Sequence, residues 1–121
     1  MKEVVITDSG ENPYPSDTFS GKWTVLWPNS RKKYSAIFQE GKEEGLVQCW
    51  WENGRLAQEG IKTNGLCVGL WKDYNDEGLM YKETVYHDKP YDFTQRVYDA
   101  EGLAIIREFK NGIKIQETIL P

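Results

Sequence analysis

The chain has 121 residues, 39% of them hydrophobic and 28% charged, a balance that fits one folded domain and excludes a disordered chain. A net charge of −4 and a pI of ≈ 5.0 disfavour nonspecific binding to nucleic acid or to an anionic membrane, since both require a basic surface. No stretch is apolar for long enough to span a bilayer. The start of the chain, with the apolar run Val4-Val5-Ile6 followed by Asp8, is too short for a signal peptide, so a cytosolic location is the expectation.

Lys2 to Thr7 reads as a short edge strand. Asp8 to Ser20 carries Gly10, Pro13 and Pro15 and reads as a loop. Residues 1–20 would then be a strand-and-loop cap, or a worn-down repeat in which Tyr14 and Phe19 cover the end of a stack.

From Gly21 onward the sequence repeats. Gly21, Gly45 and Gly69 stand 24 residues apart, and Phe93 takes the same place in a fourth copy. Four copies follow without a gap, 21–44, 45–68, 69–92 and 93–116, and leave 117–121 as a tail. Each copy reads as strand, turn, strand, turn. Pro28-Asn29-Ser30 and Asn53-Gly54 mark first turns, with Gly78 and Gly102 at the equivalent place in the later copies. Glu40-Gly41, Asn64-Gly65, His87-Asp88-Lys89-Pro90 and Asn111-Gly112 mark second turns, the last one residue early. Asn-Gly supplies the positive φ angles of a tight hairpin. The period predicts an all-β fold, an antiparallel meander of about four tandem 24-residue β-hairpin repeats with an N-terminal strand or cap.

Residues two apart on a strand share a face, and a fixed period lines equivalent positions into ladders. Leu26, Trp50, Tyr74 and Tyr98 form one apolar ladder, and Ile37, Ile61, Val85 and Phe109 another; both are expected core. A third ladder, Trp27–Trp51–Asn75–Asp99, is aromatic only in its first half.

Glycine-anchored hairpins written Gly-x-Trp/Val-x-x-Trp/Tyr-x-x-x-Gly resemble MORN repeats. The version with Asn-Gly or Glu-Gly at its turns looks like the bacterial MORN-variant proteins of the YwqK antitoxin type. The resemblance covers residues 21–116 and departs from the family pattern at Ser30, at Phe93 and at the His87–Pro90 turn. It implies a hairpin array acting as a protein- or membrane-interaction module, with toxin neutralisation in bacterial members.

Constellations for chemistry are sparse. His87 beside Asp88 in a turn is not a dyad, and the 19 acidic residues are spread over many turns as a solvated surface. There is no phosphate loop, Gly-x-Ser-x-Gly elbow or metal-ligand spacing, so no catalytic residue, metal or cofactor is expected. Cys49 and Cys67 are expected as reduced thiols.

What remains is binding. One reading has Trp27 and Trp51 packing on Trp23 and Val47; the other has them partly exposed as anchors for a partner, rimmed by Glu40, Glu43, Glu44 and Glu52. The expected function is a cytosolic binding protein, an antitoxin or immunity protein that neutralises a cognate and basic toxin by direct contact. The alternative is an assembly module that oligomerises through an edge such as Gln116–Leu120.

Overall fold

The computed structural model describes residues 1–120, and its regular elements are ten strands with no helix. These are β1 (Glu3–Thr7), β2 (Gly21–Leu26), β3 (Lys32–Gln39), β4 (Lys42–Trp50), β5 (Leu56–Thr63), β6 (Leu66–Tyr74), β7 (Met80–Tyr86), β8 (Phe93–Tyr98), β9 (Ala104–Lys110) and β10 (Ile113–Leu120). They form one sheet in strict chain order, the hairpin meander that the 24-residue period predicts. Residues 117–120 of the expected tail belong to β10; Pro121 lies outside the described residues. The first strand pairs with β2 in parallel, whereas every later neighbour is antiparallel. A parallel pair needs a crossover rather than a hairpin. Residues 8–20 make that crossover, and in doing so they lie across one face of the sheet.

The two ends of the sheet use different turns. At one end Glu40-Gly41, Asn64-Gly65 and Asn111-Gly112 are two-residue hairpins with positive φ at both positions, 53° and 80° at Asn64 and Gly65. That combination matches the strand twist and suits Asn-Gly. At the other end the turns span five residues. In each, the first amide donates to the fifth carbonyl and the fourth amide to the first carbonyl, from Trp27, Trp51, Asn75 and Asp99 alike. Asn53-Gly54 is therefore not the tight two-residue turn expected from its sequence: only Gly54 has positive φ, and Asn53 caps the turn by accepting from the Arg55 amide.

Beside the five-residue turn, the first three copies carry a bulge. The register shifts by one residue between Val25 and Leu26, Cys49 and Trp50, and Asp73 and Tyr74. In the fourth copy no shift occurs between Val97 and Tyr98. Losing the bulge residue moves everything after it by one position, and one position turns a side chain to the opposite face. Phe109 thus leaves the ladder of Ile37, Ile61 and Val85. It stacks on Phe93 instead, with ring centroids 4.5 Å apart.

The expected core was assigned to the wrong face. Phe19, Val25, Tyr34, Ala36, Phe38, Val47 and Trp71 form the buried cluster, on the face that the crossover covers. Ile61 and Val85 are 42% and 40% exposed on the other face, and the ladder from Leu26 to Tyr98 is only half-buried. The crossover decides between the faces. Phe19 packs edge-on against Trp23 and Phe38, Tyr14 against Tyr34, and the Trp23 indole donates to the Pro13 carbonyl at 2.6 Å. The Phe19 carbonyl accepts from Gly41 as the Glu43 carbonyl accepts from Gly65, so the crossover ends as a degenerate repeat. Trp71 lies flat on Gly60, where an added Cβ would come within 2.0 Å of the indole. Only glycine admits the ring that closely.

Candidate functional site

Two surfaces on the faces of the sheet stand out after the core is built. The first is a cavity of about 340 Å³ on the covered face, beside the crossover. Strand pairing places Tyr34, Cys49, Gln58, Asp73 and Lys82 in one row, and Trp71, Thr84 and Gln95 in the next. Glu43 accepts from the Tyr34 hydroxyl and from Lys62 Nζ at 2.8 Å. Asp73 accepts from Gln58 Nε2 at 3.0 Å, with Lys82 Nζ at 3.9 Å. Burial pushes the Tyr34 hydroxyl far above the ordinary tyrosine range, and its bond to the Glu43 carboxylate adds to this. Tyr86 is pushed up to about 12, chiefly by burial. Both cysteines line the cavity as free thiols, and burial raises them, which keeps them protonated and poorly nucleophilic near neutral pH.

The second surface is on the open face. Leu46 pairs with Ile61 and Leu70 with Val85, across four consecutive strands, β4 to β7. All four are 40–46% exposed, and Leu46, Ile61 and Leu70 line one shallow depression with Glu59 and Lys72. The largest apolar patch on a soluble monomer is often functional, and this strip is a candidate for that role. The period explains why it is continuous, since Leu46 and Leu70, and Ile61 and Val85, are equivalent positions.

The structure does not bring together the six residues expected to bind a partner. Trp27 and Trp51 sit at the five-residue turns, where each indole donates to a backbone carbonyl of the next copy, Trp50 and Tyr74, at 3.0 Å. Lys33 Nζ lies 4.4 Å from the Trp27 ring centroid. Trp51 is 37% exposed and Trp27 half-buried, and neither packs as the core reading required. Glu52 is in the same turn row, and its carbonyl accepts from Asn29 Nδ2 at 2.9 Å. Glu40 belongs to the two-residue turn at the opposite end of the strands. Nearby, Glu44 accepts from the Asn64 amide at 3.0 Å, and Glu43 points into the covered cavity. Glu40, Glu43 and Glu44 therefore cannot rim the two tryptophans: a strand of about eight residues, roughly 26 Å, separates the two ends.

The change from aromatic to polar along that ladder has a local cause. In the first two copies Asn29 and Asn53 cap the turn, which leaves Trp27 and Trp51 free to reach the next copy. In the last two, Asn75 and Asp99 are themselves the caps, each accepting two amides of their own turn. The same turn is closed in two ways, so the ladder need not be filled alike. His87, at the irregular turn, shares a hydrogen bond with Thr94 at 2.9 Å.

Among the described residues, no group of three or more His, Cys, Asp and Glu side chains is placed to hold a metal ion, and no helix is long and apolar enough to cross a membrane. From the sequence alone, Ile61 and Val85 are placed in a core ladder rather than on a surface, and the cavity goes unrecognised. The signal for the cavity was the alternation Glu43, Val47, Cys49 against Gln58 and Lys62, which marks one half-polar face. In comparisons with known proteins, the chain matches no family model, no curated protein and no solved structure.

Proposed function

We propose that this chain is a non-catalytic protein-binding module, and specifically an antitoxin or immunity protein that neutralises a cognate toxin by direct contact in the cytosol. The apolar strip Leu46–Ile61–Leu70–Val85 carries the reading. A strip of that exposure on a single-layer sheet is favourably covered by an apolar partner surface. The resemblance of residues 21–116 to MORN-variant repeats supports the finer part, and the net charge of −4 suits fast association with a basic toxin rather than with nucleic acid or membrane. The test is rescue by co-expression with a toxin encoded beside this gene. Ile61→Glu and Leu70→Glu should abolish rescue and binding to the purified toxin while melting within a few degrees of the parent. Rescue that survives both substitutions would move the interface elsewhere, and failure of the parent chain to rescue would remove the antitoxin reading.

A second reading, assembly, rests on β10. This edge strand exposes Ile113, Ile115 and Ile119 by 68%, 61% and 64%. Unpaired edges with apolar side chains favour pairing with another strand. Sedimentation decides it: a dimer that Ile119→Lys dissociates supports assembly, and a monomer at high concentration excludes it.

A further inference from the structure

The cavity on the covered face is distinct from the open-face strip, and its chemistry is not explained by partner binding there. Its size is at the small end for ligand pockets. At about 30 Å³ per water it holds on the order of ten waters, and hence a ligand of amino-acid size.

The hydrogen-bonding capacity of the cavity is not used up by its own residues. Both carboxylates are engaged, Glu43 by Tyr34 and Lys62, Asp73 by Gln58. The ammonium groups are not exhausted. Lys62 Nζ uses one of its three protons on Glu43. Lys82 Nζ stops 3.9 Å from Asp73, beyond hydrogen-bond reach, and makes no hydrogen bond among the described residues. The charges are also layered by depth. The Lys82 side chain is 31% exposed against 11% for Asp73, and Lys62 24% against 19% for Glu43. An entering molecule therefore meets Lys82, whose ammonium makes no hydrogen bond among the described residues, before it meets the deeper Asp73, which already accepts from Gln58. Thr84 and Gln95, in the row beside Lys82, add further polar groups, while Trp71, Tyr86 and Tyr14 supply aromatic walls.

We propose that this cavity is a binding site for a small carboxylate with a planar apolar body, its carboxylate held by Lys82 and its ring set among Tyr14, Trp71 and Tyr86. The same chemistry is offered by a free aromatic acid and by an aromatic residue at the C-terminus of a protein chain.

Titration of the full chain, followed by tryptophan fluorescence and by the indole N–H resonance of Trp71, tests the site with two probes. These are 4-hydroxyphenylacetate for the free acid and N-acetyltyrosine for the chain terminus, each against its neutral amide. The expected result is saturable binding of at least one acid, at least tenfold weaker binding of its amide, and at least a tenfold loss in Lys82→Met with an unchanged melting temperature. Binding of both acids assigns the site to small molecules, and binding of N-acetyltyrosine alone assigns it to a chain terminus. Equal binding of acid and amide, no saturation by either acid at millimolar concentration, or an unaffected Lys82→Met would overturn the proposal. None of these outcomes depends on toxin rescue, so the cavity and the open-face strip stand or fall separately.

Discussion

Under residues 8–20, the covered face of β2 to β6 packs Phe19, Val25, Tyr34, Ala36, Phe38, Val47 and Trp71 into one cluster. On β8 to β10 the same face of the same repeat has no crossover above it. There Phe93 and Phe109 stack on each other, and Ile115 and Ile119 remain exposed. The repeat supplies strands and turns in both halves, but a single sheet cannot bury its own face. A core forms where a second layer exists, and residues 8–20, which match the repeat only at their end, provide it.

The largest effect that this contrast predicts is at Trp71. Its removal opens a cavity above Gly60 and deletes the indole hydrogen bond to the Ile61 carbonyl, 3.1 Å long. Trp71→Ala should cost about 3–5 kcal/mol in urea unfolding. Phe109→Ala removes a half-buried ring and one stacked pair, and should cost about 1–2 kcal/mol. Equal costs would mean that both halves share one core.

A smaller effect, led by the covered face, is expected in alkali. Burial raises the folded-state pKa of Cys49, Cys67, Tyr34 and Tyr86. An acid whose folded pKa lies above its unfolded value holds its proton more tightly in the native state. Its stabilising contribution is complete below the unfolded pKa and is lost as pH rises toward the folded one. Stability should therefore begin to fall above about pH 8.5, where unfolded thiols ionise, and fall more steeply above about pH 10, where unfolded tyrosines do. Tyr34→Phe should blunt the second phase, at the expense of leaving Glu43 with one partner fewer. A flat profile from pH 8 to 11 would show that these groups are not desolvated.

Trp51 comes next. Trp51→Phe keeps most of the ring and removes the donor to the Tyr74 carbonyl, so a loss of about 1 kcal/mol is expected, with Trp27→Phe similar. Toxin binding should be unaffected. A stability change below about 0.3 kcal/mol together with lost binding would return these residues to the interface that their aromatic character first indicated.

These cases also show what the sequence reveals and where it stops. The period, the strands and the positions of all the turns are legible, because glycine, asparagine and proline act locally. The choice of face is not, because both faces carry apolar ladders and the deciding contact is between Phe19 or Tyr14 and strands of the first copies. Phe109 was misplaced for a different reason: counting by 24 keeps its number in step but overlooks the missing bulge that turns it over. Trp27 and Trp51 were legible as unusual residues, but their hydrogen bonds run to backbone carbonyls 23 residues away, which no side-chain pattern reveals.

The smallest predicted effect concerns the point at which the first copy departs from the other three. At the fourth position of the five-residue turn, Gly54, Gly78 and Gly102 have φ of 89°, 89° and 85°, and Ser30 is held at 70°. A left-handed conformation costs an L-residue with a Cβ about 1–2 kcal/mol, and glycine nothing. Glycine, however, loses more backbone entropy on folding, which offsets about 0.5–1 kcal/mol of the gain. Ser30→Gly should therefore stabilise the chain by only about 0.5 kcal/mol, a rise of roughly 2–3 °C in Tm. Gly54→Ser should shift it by a similar amount in the opposite direction, because its turn has the same two backbone hydrogen bonds and the same asparagine cap. The pair of substitutions separates the turn from its surroundings. Equal and opposite shifts would show that the first two copies are energetically interchangeable at this end of the sheet. If Ser30→Gly destabilises the protein while Gly54→Ser also does, the serine hydroxyl supports the first turn in a way that the repeat alone does not account for.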